Sequence, residues 1–263
     1  MTHPYEAIFF DLDGTLFDLI ACERETLRRL LSQTLPSFGP TETERLLAAY
    51  AKVSPGHWAS GLATDNSREE IVGGILAAVC AQTGVVIPDP SHSTRLYWQI
   101  FANVAVLEEG AVEVLKKLSA SYRLGVISNG YADTQRPRLA AAGLTGYFEA
   151  IVVSGEVGWA KPDPRIFAHA LGQMSVTPSA ALYVGDSASH DLAGALAAGV
   201  DFCLYRPKGG TGLELPAGVL PAGVLPADVL PAGVLPADVL PADVLPADVR
   251  LVTALSQLAA LLT

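Results

Sequence analysis

The sequence predicts an α/β fold in which a doubly wound parallel sheet carries a helical insert after its first strand. Two observations predict this fold. Short apolar runs recur along the chain with helical patterns between them, which is typical of buried parallel strands joined by helical crossovers. A stretch of about 90 residues after the first run has helix-start signals and no strand signal. A chain of 263 residues is long enough for a core domain and a smaller second domain.

Five apolar runs are the predicted strands, at residues 7–10, 124–127, 151–153, 181–184 and 202–205. Helical patterns lie between them, among others at residues 109–120, 164–171 and 191–198. The chain ends in the short segment Arg-Leu-Val at residues 250–252 and a closing helix at 254–262, which is the pattern expected of an ordinary sheet edge. Ligands of such open sheets bind where the strands end. Polar residues that directly follow the runs are therefore the candidates for a site.

The segment between the first two strands predicts a separate helical domain. Thr41 and Ser67 each begin a capping-box pattern, with a glutamate three residues later and apolar residues at helical spacing behind it. We therefore predict that residues 17–105 form an α-helical cap domain above the carboxyl edge of the sheet. Residues 1–16 and 106–263 would then form the core domain.

Charge and cysteine content narrow the class of protein. The formal net charge of -10 and the lack of any Lys/Arg run argue against a nucleic acid polymer as partner, and leave small anionic substrates open. Cys22, Cys80 and Cys203 form no C-x-x-C pair, which indicates reduced thiols in a cytoplasmic protein. The start lacks a signal-peptide pattern, and no apolar run approaches the ~18 residues of a membrane span. We expect neither secretion nor a membrane partner.

Two acids follow the first predicted strand. Asp11 and Asp13 are two residues apart, so their side chains leave the strand on the same side, and Gly14 allows the chain to turn sharply behind them. One carboxylate can attack phosphorus while the other protonates the leaving oxygen and later activates water. The alternative is an ordinary Asp-Gly surface turn.

A hydroxyl and an amide follow the second predicted strand. Ser128, Asn129 and Gly130 combine a hydroxyl with free backbone N–H groups, which can bind phosphoryl oxygens at a strand end. An ordinary Asn-Gly turn is the alternative.

A lysine and two further acids complete the set of candidates. Lys161 offers a positive charge beside prolines that stiffen the backbone, as phosphoryl transfer requires, although a solvated surface lysine is the alternative. Asp186 follows the strand 181–184 and suits Mg²⁺, which prefers hard oxygen ligands. Asp191 either supports that metal site or caps the following helix.

Over about residues 5–205, these four segments in this order resemble the haloacid dehalogenase (HAD) superfamily, in its helical-cap subfamily I. The resemblance implies a Rossmann-like core and a phosphatase reaction. It implies Asp11 as the nucleophile, Asp13 as the general acid and base, and Ser128 and Lys161 as ligands of the phosphoryl oxygens. The insert would correspond to the cap that selects the substrate.

The resemblance also implies Mg²⁺ as the cofactor. The Asp11 carboxylate, the Asp13 backbone carbonyl and Asp186 would hold the ion, with Asp191 as the supporting acid of the last motif. A small phosphate ester is the implied substrate. Dehalogenases of the superfamily typically lack an acid two residues after the nucleophile, so Asp13 favours phosphatase over 2-haloacid dehalogenase. Sugar-phosphate mutases keep both acids and remain an alternative.

A closer resemblance concerns two segments of the core and one of the cap. Residues 130–135 with Arg138 and Leu139, and residues 154–162, look like the branch that contains pyrimidine 5'-nucleotidases and N-acylneuraminate-9-phosphatase. Trp58 lies in a cap segment that is similar to a tryptophan-bearing segment of that branch. It is a candidate for stacking on a substrate base, with packing between helices as the alternative.

Residues 215–249 are seven tandem copies of Leu-Pro-Ala-Gly/Asp-Val. A proline every five residues excludes a regular helix. We predict an expanded, flexible surface loop inserted in the core, since surface loops tolerate insertions well. An elastin-like spiral and a stacked solenoid are the structural alternatives. The functional alternative is that the repeat makes this an interaction protein.

Overall fold

The structure is a computed structural model that describes residues 5–63, 66–207 and 250–262. The pentapeptide repeat at residues 215–249 lies outside the described residues. The chain divides into two compact units, of which one consists of Met1–Asp18 with Val106–Thr263 and the other of Leu19–Ala105.

A parallel sheet of six strands forms the centre of the first unit, as the sequence predicts. The strands are β1 (Ala7–Phe10), β2 (Arg123–Ser128), β3 (Ala150–Val153), β4 (Ala181–Gly185), β5 (Asp201–Tyr205) and β6 (Arg250–Val252). Their order in the sheet is β3-β2-β1-β4-β5-β6, and every neighbouring pair is parallel.

Ten α-helices accompany the sheet in the described part of the chain. They are α1 (Leu19–Thr34), α2 (Pro40–Ala63), α3 (Arg68–Thr83), α4 (Pro90–Phe101), α5 (Ala111–Leu118), α6 (Ala132–Ala141), α7 (Ser154–Val157), α8 (Pro164–Met174), α9 (Ala193–Ala198) and α10 (Leu255–Leu261). The first four form the second unit, and none of the described helices is long and apolar enough to cross a bilayer.

The central strand shows why these apolar runs become strands. Every residue of β1 is buried, because both faces of the sheet are covered. Phe9 packs in one core with Phe167 of α8 and Tyr183 of β4. The Phe167 and Tyr183 rings meet edge to face, with centroids 5.0 Å apart.

The strand order creates a crevice beside β1. The chain runs from β1 through β2 to β3 on one side, and then crosses to β4, β5 and β6 on the other. The direction of winding therefore reverses between β1 and β4, where such sheets bind ligands outside the carboxyl ends of their strands.

Two predicted helix starts differ from the structure. Ser67 forms its capping box with Glu70, as predicted. The predicted capping box at Thr41 is wrong, because α2 already begins at Pro40 and Thr41 lies inside the helix. The Thr43 N–H donates to the carbonyl of Gly39, the residue just before the helix. The helix predicted from residue 191 begins at Ala193 instead, behind a π-helical turn, Ala188–Leu192.

Gly125 of β2 provides a test of this packing. A Cβ at this position would lie 2.5 Å from the Phe9 ring and 3.1 Å from the Met174 sulfur. We expect Gly125→Ala to lower the free energy of unfolding by about 1–3 kcal/mol, the usual cost of overpacking a core, measured by urea denaturation. Gly146→Ala is the matched control, since its Cβ would meet no described atom within 4 Å. Equal stability of the two variants would contradict this packing.

Candidate active site

Asp11 is placed at the carboxyl edge of the sheet by the strand before it. β1 ends at Phe10, and the Asp11 N–H donates to the Val184 carbonyl (2.9 Å), which extends the pairing with β4 by one residue. The residue is 7% exposed. Asp11 therefore has a fixed backbone and a largely buried carboxylate beside the end of β4.

The loop behind Asp11 turns at Gly14, where glycine is required. Its φ is +86°, a conformation that side chains disfavour, and its N–H donates to the Phe17 carbonyl (2.8 Å). A Cβ here would lie 2.3 Å from Oδ2 of Asp186. Gly14 thus brings the loop after β1 directly against the carboxylate that follows β4.

The Lys161 side chain lies between two of the candidate acids and is buried. Its Nζ donates to Oδ1 of Asp11 (2.7 Å), to Oδ1 of Asp191 (2.7 Å) and to the Tyr183 hydroxyl (2.8 Å). These three bonds use all three protons of the ammonium. Burial lowers the pKa of Lys161, but the charges of Asp11 and Asp191 outweigh it and raise the pKa above its usual value. The lysine is held as a cation.

Asn129 positions the backbone of Lys161. Its Nδ2 donates to the Lys161 carbonyl (2.9 Å), and its Oδ1 accepts from the Lys161 N–H (2.8 Å). The sequence predicts Asn129 as a phosphate ligand. In the structure both polar ends of the amide bind Lys161, and Nδ2 carries a second proton that this pairing does not use. A phosphate contact of Asn129 stays a prediction.

Tyr183 is not among the residues that the sequence predicts for this site. Its hydroxyl accepts from Lys161 and lies 3.0 Å from both the Ile127 carbonyl and Oδ1 of Asp191, so its one proton serves either acceptor. Oδ2 of Asp191 accepts from the Ser187 N–H (2.9 Å). Asp191 therefore holds Lys161 from inside the π-helical turn rather than capping α9. A hydroxyl within the apolar run of β4 was the available signal for Tyr183.

The cluster carries excess negative charge. Burial raises the pKa of Asp11 well above its usual value, and Asp191 and Asp186 raise it further, while Lys161 opposes the shift. Burial and the charge of Asp191 raise the pKa of Asp186 to about 7, again against Lys161. A single ammonium does not compensate these carboxylates, so a second cation would be stabilised here.

The oxygen donors fit the predicted Mg²⁺. Asp11, Asp186 and Asp191 each offer one oxygen within 4.8 Å of the others. Such hard oxygens are the ligands that Mg²⁺ prefers, and the ion would supply the missing positive charge. Both oxygens of Asp191 already accept hydrogen bonds, so Asp11 and Asp186 are the better ligands. A contact with the Asp13 carbonyl stays a prediction.

Ser128 and Asp13 share a second network. Ser128 ends β2, and its Oγ accepts from Nε2 of Gln135 (2.8 Å). The same Nε2 donates to Oδ2 of Asp13 (2.8 Å), and Arg138 forms an ion pair with Oδ1 of Asp13 (2.7 Å). Gln135 and Arg138 lie on α6, and their contact with Asp13 is not visible in the sequence.

Trp58 lies in α2 of the helical unit, among other aromatic residues. Its ring meets Trp98 of α4 edge to face, with centroids 6.1 Å apart, and Trp98 packs in the same way on Tyr97 and Phe101. This contact fits the packing alternative. Stacking of Trp58 on a substrate stays a prediction.

The chain matches known hydrolases over most of its length. The family model described as haloacid dehalogenase-like hydrolase matches residues 5–199. The pyrimidine 5'-nucleotidase YjjG of Escherichia coli is 28% identical over 76% of this chain and 85% of its own. The N-acylneuraminate-9-phosphatase of Rattus norvegicus is 29% identical over 78% of this chain and 83% of its own.

Solved structures share the fold. The HAD-hydrolase YfnB of Bacillus subtilis, described as bound to magnesium, has a TM-score of 0.74 at 23% identity, over 98% of this chain and 99% of its own. The L-2-haloacid dehalogenase of Xanthobacter autotrophicus has a TM-score of 0.64 at 21% identity, over 98% of both chains. At these sequence identities, the structural similarity shows a shared fold and nothing about the reaction.

The hydroxyl of Tyr183 provides a test of the buried lysine network. Tyr183→Phe leaves one Lys161 donor and the Ile127 carbonyl without the hydroxyl. We expect the free energy of unfolding to fall by about 1–3 kcal/mol, the cost of an unsatisfied buried polar group, measured by urea denaturation. Tyr147→Phe, in the short 3₁₀ turn Thr145–Tyr147, is the control and should change it by less than about 0.5 kcal/mol. An unchanged Tyr183→Phe protein would contradict the network.

Proposed function

We propose that this chain, which belongs to the haloacid dehalogenase-like hydrolase family, is a magnesium-dependent phosphatase that forms an aspartyl-phosphate on Asp11. The observation that carries the proposal is the separation of two acids from one strand end into two environments. Asp11 is buried against the Lys161 ammonium, whereas the Asp13 carboxyl is partly exposed and bound by residues of α6. Lys161, together with a bound Mg²⁺, would keep Asp11 ionised as the nucleophile against the effect of burial, and Asp13, held apart from this cluster beside α6, suits the proton donor.

The first half of the proposed reaction transfers the phosphoryl group to Asp11. A carboxylate oxygen of Asp11 attacks phosphorus, and Lys161, 2.7 Å from Oδ1, fixes the direction of that carboxylate. As the ester P–O bond breaks, Asp13 gives a proton to the leaving oxygen, so that a neutral alcohol departs. Bound at Asp11 and Asp186, Mg²⁺ would neutralise charge on the phosphoryl oxygens.

The second half releases phosphate. Asp13, now a carboxylate, accepts a proton from a water molecule as that water attacks phosphorus. The bond between phosphorus and the Asp11 oxygen breaks, inorganic phosphate leaves, and Asp13 is again protonated. In both halves the Ser128 hydroxyl would donate to a phosphoryl oxygen.

The relatives support a small phosphate ester as the substrate. One is called a pyrimidine 5'-nucleotidase, one an N-acylneuraminate-9-phosphatase and one a glyceraldehyde 3-phosphate phosphatase. We propose a metabolite of this size, such as a nucleoside monophosphate. We also propose that the helical unit, Leu19–Ala105, is the family's cap domain and carries the residues that select among esters.

Two other reactions of the same family remain as alternatives with different products. A 2-haloacid dehalogenase releases halide, which departs without a proton and has no need of Asp13. A sugar-phosphate mutase returns an isomeric ester and little free phosphate. The contacts that Asp13 makes with Gln135 and Arg138 favour a reaction in which Asp13 has a task.

We expect the purified protein to release phosphate from at least one member of a panel of nucleoside monophosphates and sugar phosphates when Mg²⁺ is present. Chelation of the metal and the Asp11→Asn substitution should each remove the activity, the latter by about 10³-fold or more, because the variant lacks the nucleophile. Phosphate, isomerised ester and halide are measured in parallel. The proposal fails if no ester is hydrolysed, or if only isomer or halide forms.

We expect Mg²⁺ to stabilise the protein against heat, because it would bind the folded carboxylate pair. At about 100 times its dissociation constant the gain is about 2.7 kcal/mol, measured as a rise in melting temperature. Asp186→Asn should remove this rise, while Glu113→Gln, which neutralises an exposed acid on α5, should keep it. Equal Mg²⁺ shifts in both variants would exclude Asp186 as a ligand.

A further inference from the structure

The carboxylate of Asp13 is held at both of its oxygens by two residues of α6. Oδ1 forms an ion pair with Nη1 of Arg138 (2.7 Å), and Oδ2 accepts from Nε2 of Gln135 (2.8 Å). Arg138 is fully buried, and Gln135 is 1% exposed. The carboxylate cannot rotate without losing the hydrogen bond at Oδ2 or weakening the ion pair at Oδ1.

The two α6 residues also support each other. They are three positions apart and so share one face of the helix. Oε1 of Gln135 accepts from Nη1 of Arg138 (2.9 Å), and the remaining Nε2 proton of Gln135 is donated to Oγ of Ser128 (2.8 Å). The guanidinium lies over the Phe17 ring, 4.5 Å from its centroid, in the loop that carries Asp13. Gln135 and Arg138 thus link α6, the end of β2 and the loop after β1.

We propose that Gln135 and Arg138 are positioning residues that set the orientation from which Asp13 protonates the leaving oxygen. The inference rests on the proposed function and extends it to two residues to which that proposal gives no substrate contact. Proton transfer requires the donor oxygen within hydrogen-bond reach of the acceptor, so a loose carboxyl transfers its proton less often. By binding Ser128 as well, Gln135 keeps the acid in register with the phosphoryl group.

The leaving group distinguishes this role from a merely structural one. An alkyl phosphate expels a strongly basic alkoxide, so its cleavage depends on a proton from Asp13. A 2,4-dinitrophenyl phosphate expels a weakly basic phenolate that needs no proton. Loss of fold or of phosphate binding slows both esters equally, whereas a misplaced acid slows only the alkyl ester.

The experiment compares kcat/KM for an alkyl phosphate that the enzyme accepts and for 2,4-dinitrophenyl phosphate, with Mg²⁺ present. Asp13→Asn sets the benchmark for complete loss of the acid, which is worth about 10²–10⁴-fold in such reactions. We expect Arg138→Met and Gln135→Leu to lose about 10- to 100-fold on the alkyl ester and less than about 3-fold on the dinitrophenyl ester. Arg138→Lys, which keeps the charge, should recover part of the loss.

Arg136→Met is the matched control, since Arg136 lies on the same helix and pairs with the exposed Glu156. It should leave both esters unchanged. Thermal melting identifies any variant that fails to fold. If Arg138→Met fails to fold, the comparison is made with Gln135→Leu and Arg138→Lys. Equal losses on both esters in folded variants, or no loss on either, would overturn the positioning role. Failure of the unsubstituted protein on both esters would instead overturn the proposed function, and the positioning role with it.

Discussion

The ammonium of Lys161 lies buried where β1 and β4 end, with its three protons donated to Asp11, Asp191 and Tyr183. Removing one partner of such a buried ion pair costs about 3–5 kcal/mol, because it leaves a charge without compensation. The ammonium therefore ties together the loop after β1, the middle of β4 and the π-helical turn, and the Lys161 backbone binds the end of β2 through Asn129. The same charge balance leaves the carboxylates with excess negative charge, which a second cation at this site would compensate.

The sheet could be predicted because its central strands are buried on both faces. A strand covered on both faces is apolar throughout, so residues 7–10 and 181–184 stand out in the sequence without reference to any partner. Parallel strands end at one edge, and the acids that follow them are consequently expected to meet. The structure does bring one carboxylate oxygen each of Asp11, Asp186 and Asp191 within 4.8 Å of one another. Their chemical roles stay predictions.

The partners of these acids could not be predicted, because a hydrogen bond between distant segments leaves no spacing in the sequence. In the sequence Tyr183 looks like an ordinary core residue, and only the structure shows that its hydroxyl binds Lys161. Asn129 follows a strand as a phosphate ligand would, but its pairing with the Lys161 backbone has no sign in the sequence. The pattern at Thr41 satisfies the capping rule, but Pro40 already begins the helix, since proline fits the first helical turn. Predictions from local sequence patterns fail where tertiary contacts or a neighbouring residue determine the local structure.

The central claim is that Asp11 carries the phosphoryl group during turnover. The direct measurement is a rapid acid quench of the protein during hydrolysis of an ester labelled in its phosphoryl group, followed by peptide mapping. We expect the label on the peptide that contains Asp11. We also expect hydroxylamine to remove this label, because hydroxylamine cleaves acyl phosphates. No label in the Asp11→Asn protein would agree with this. Label on a peptide without Asp11, or turnover with no labelled protein at any time, would contradict the account.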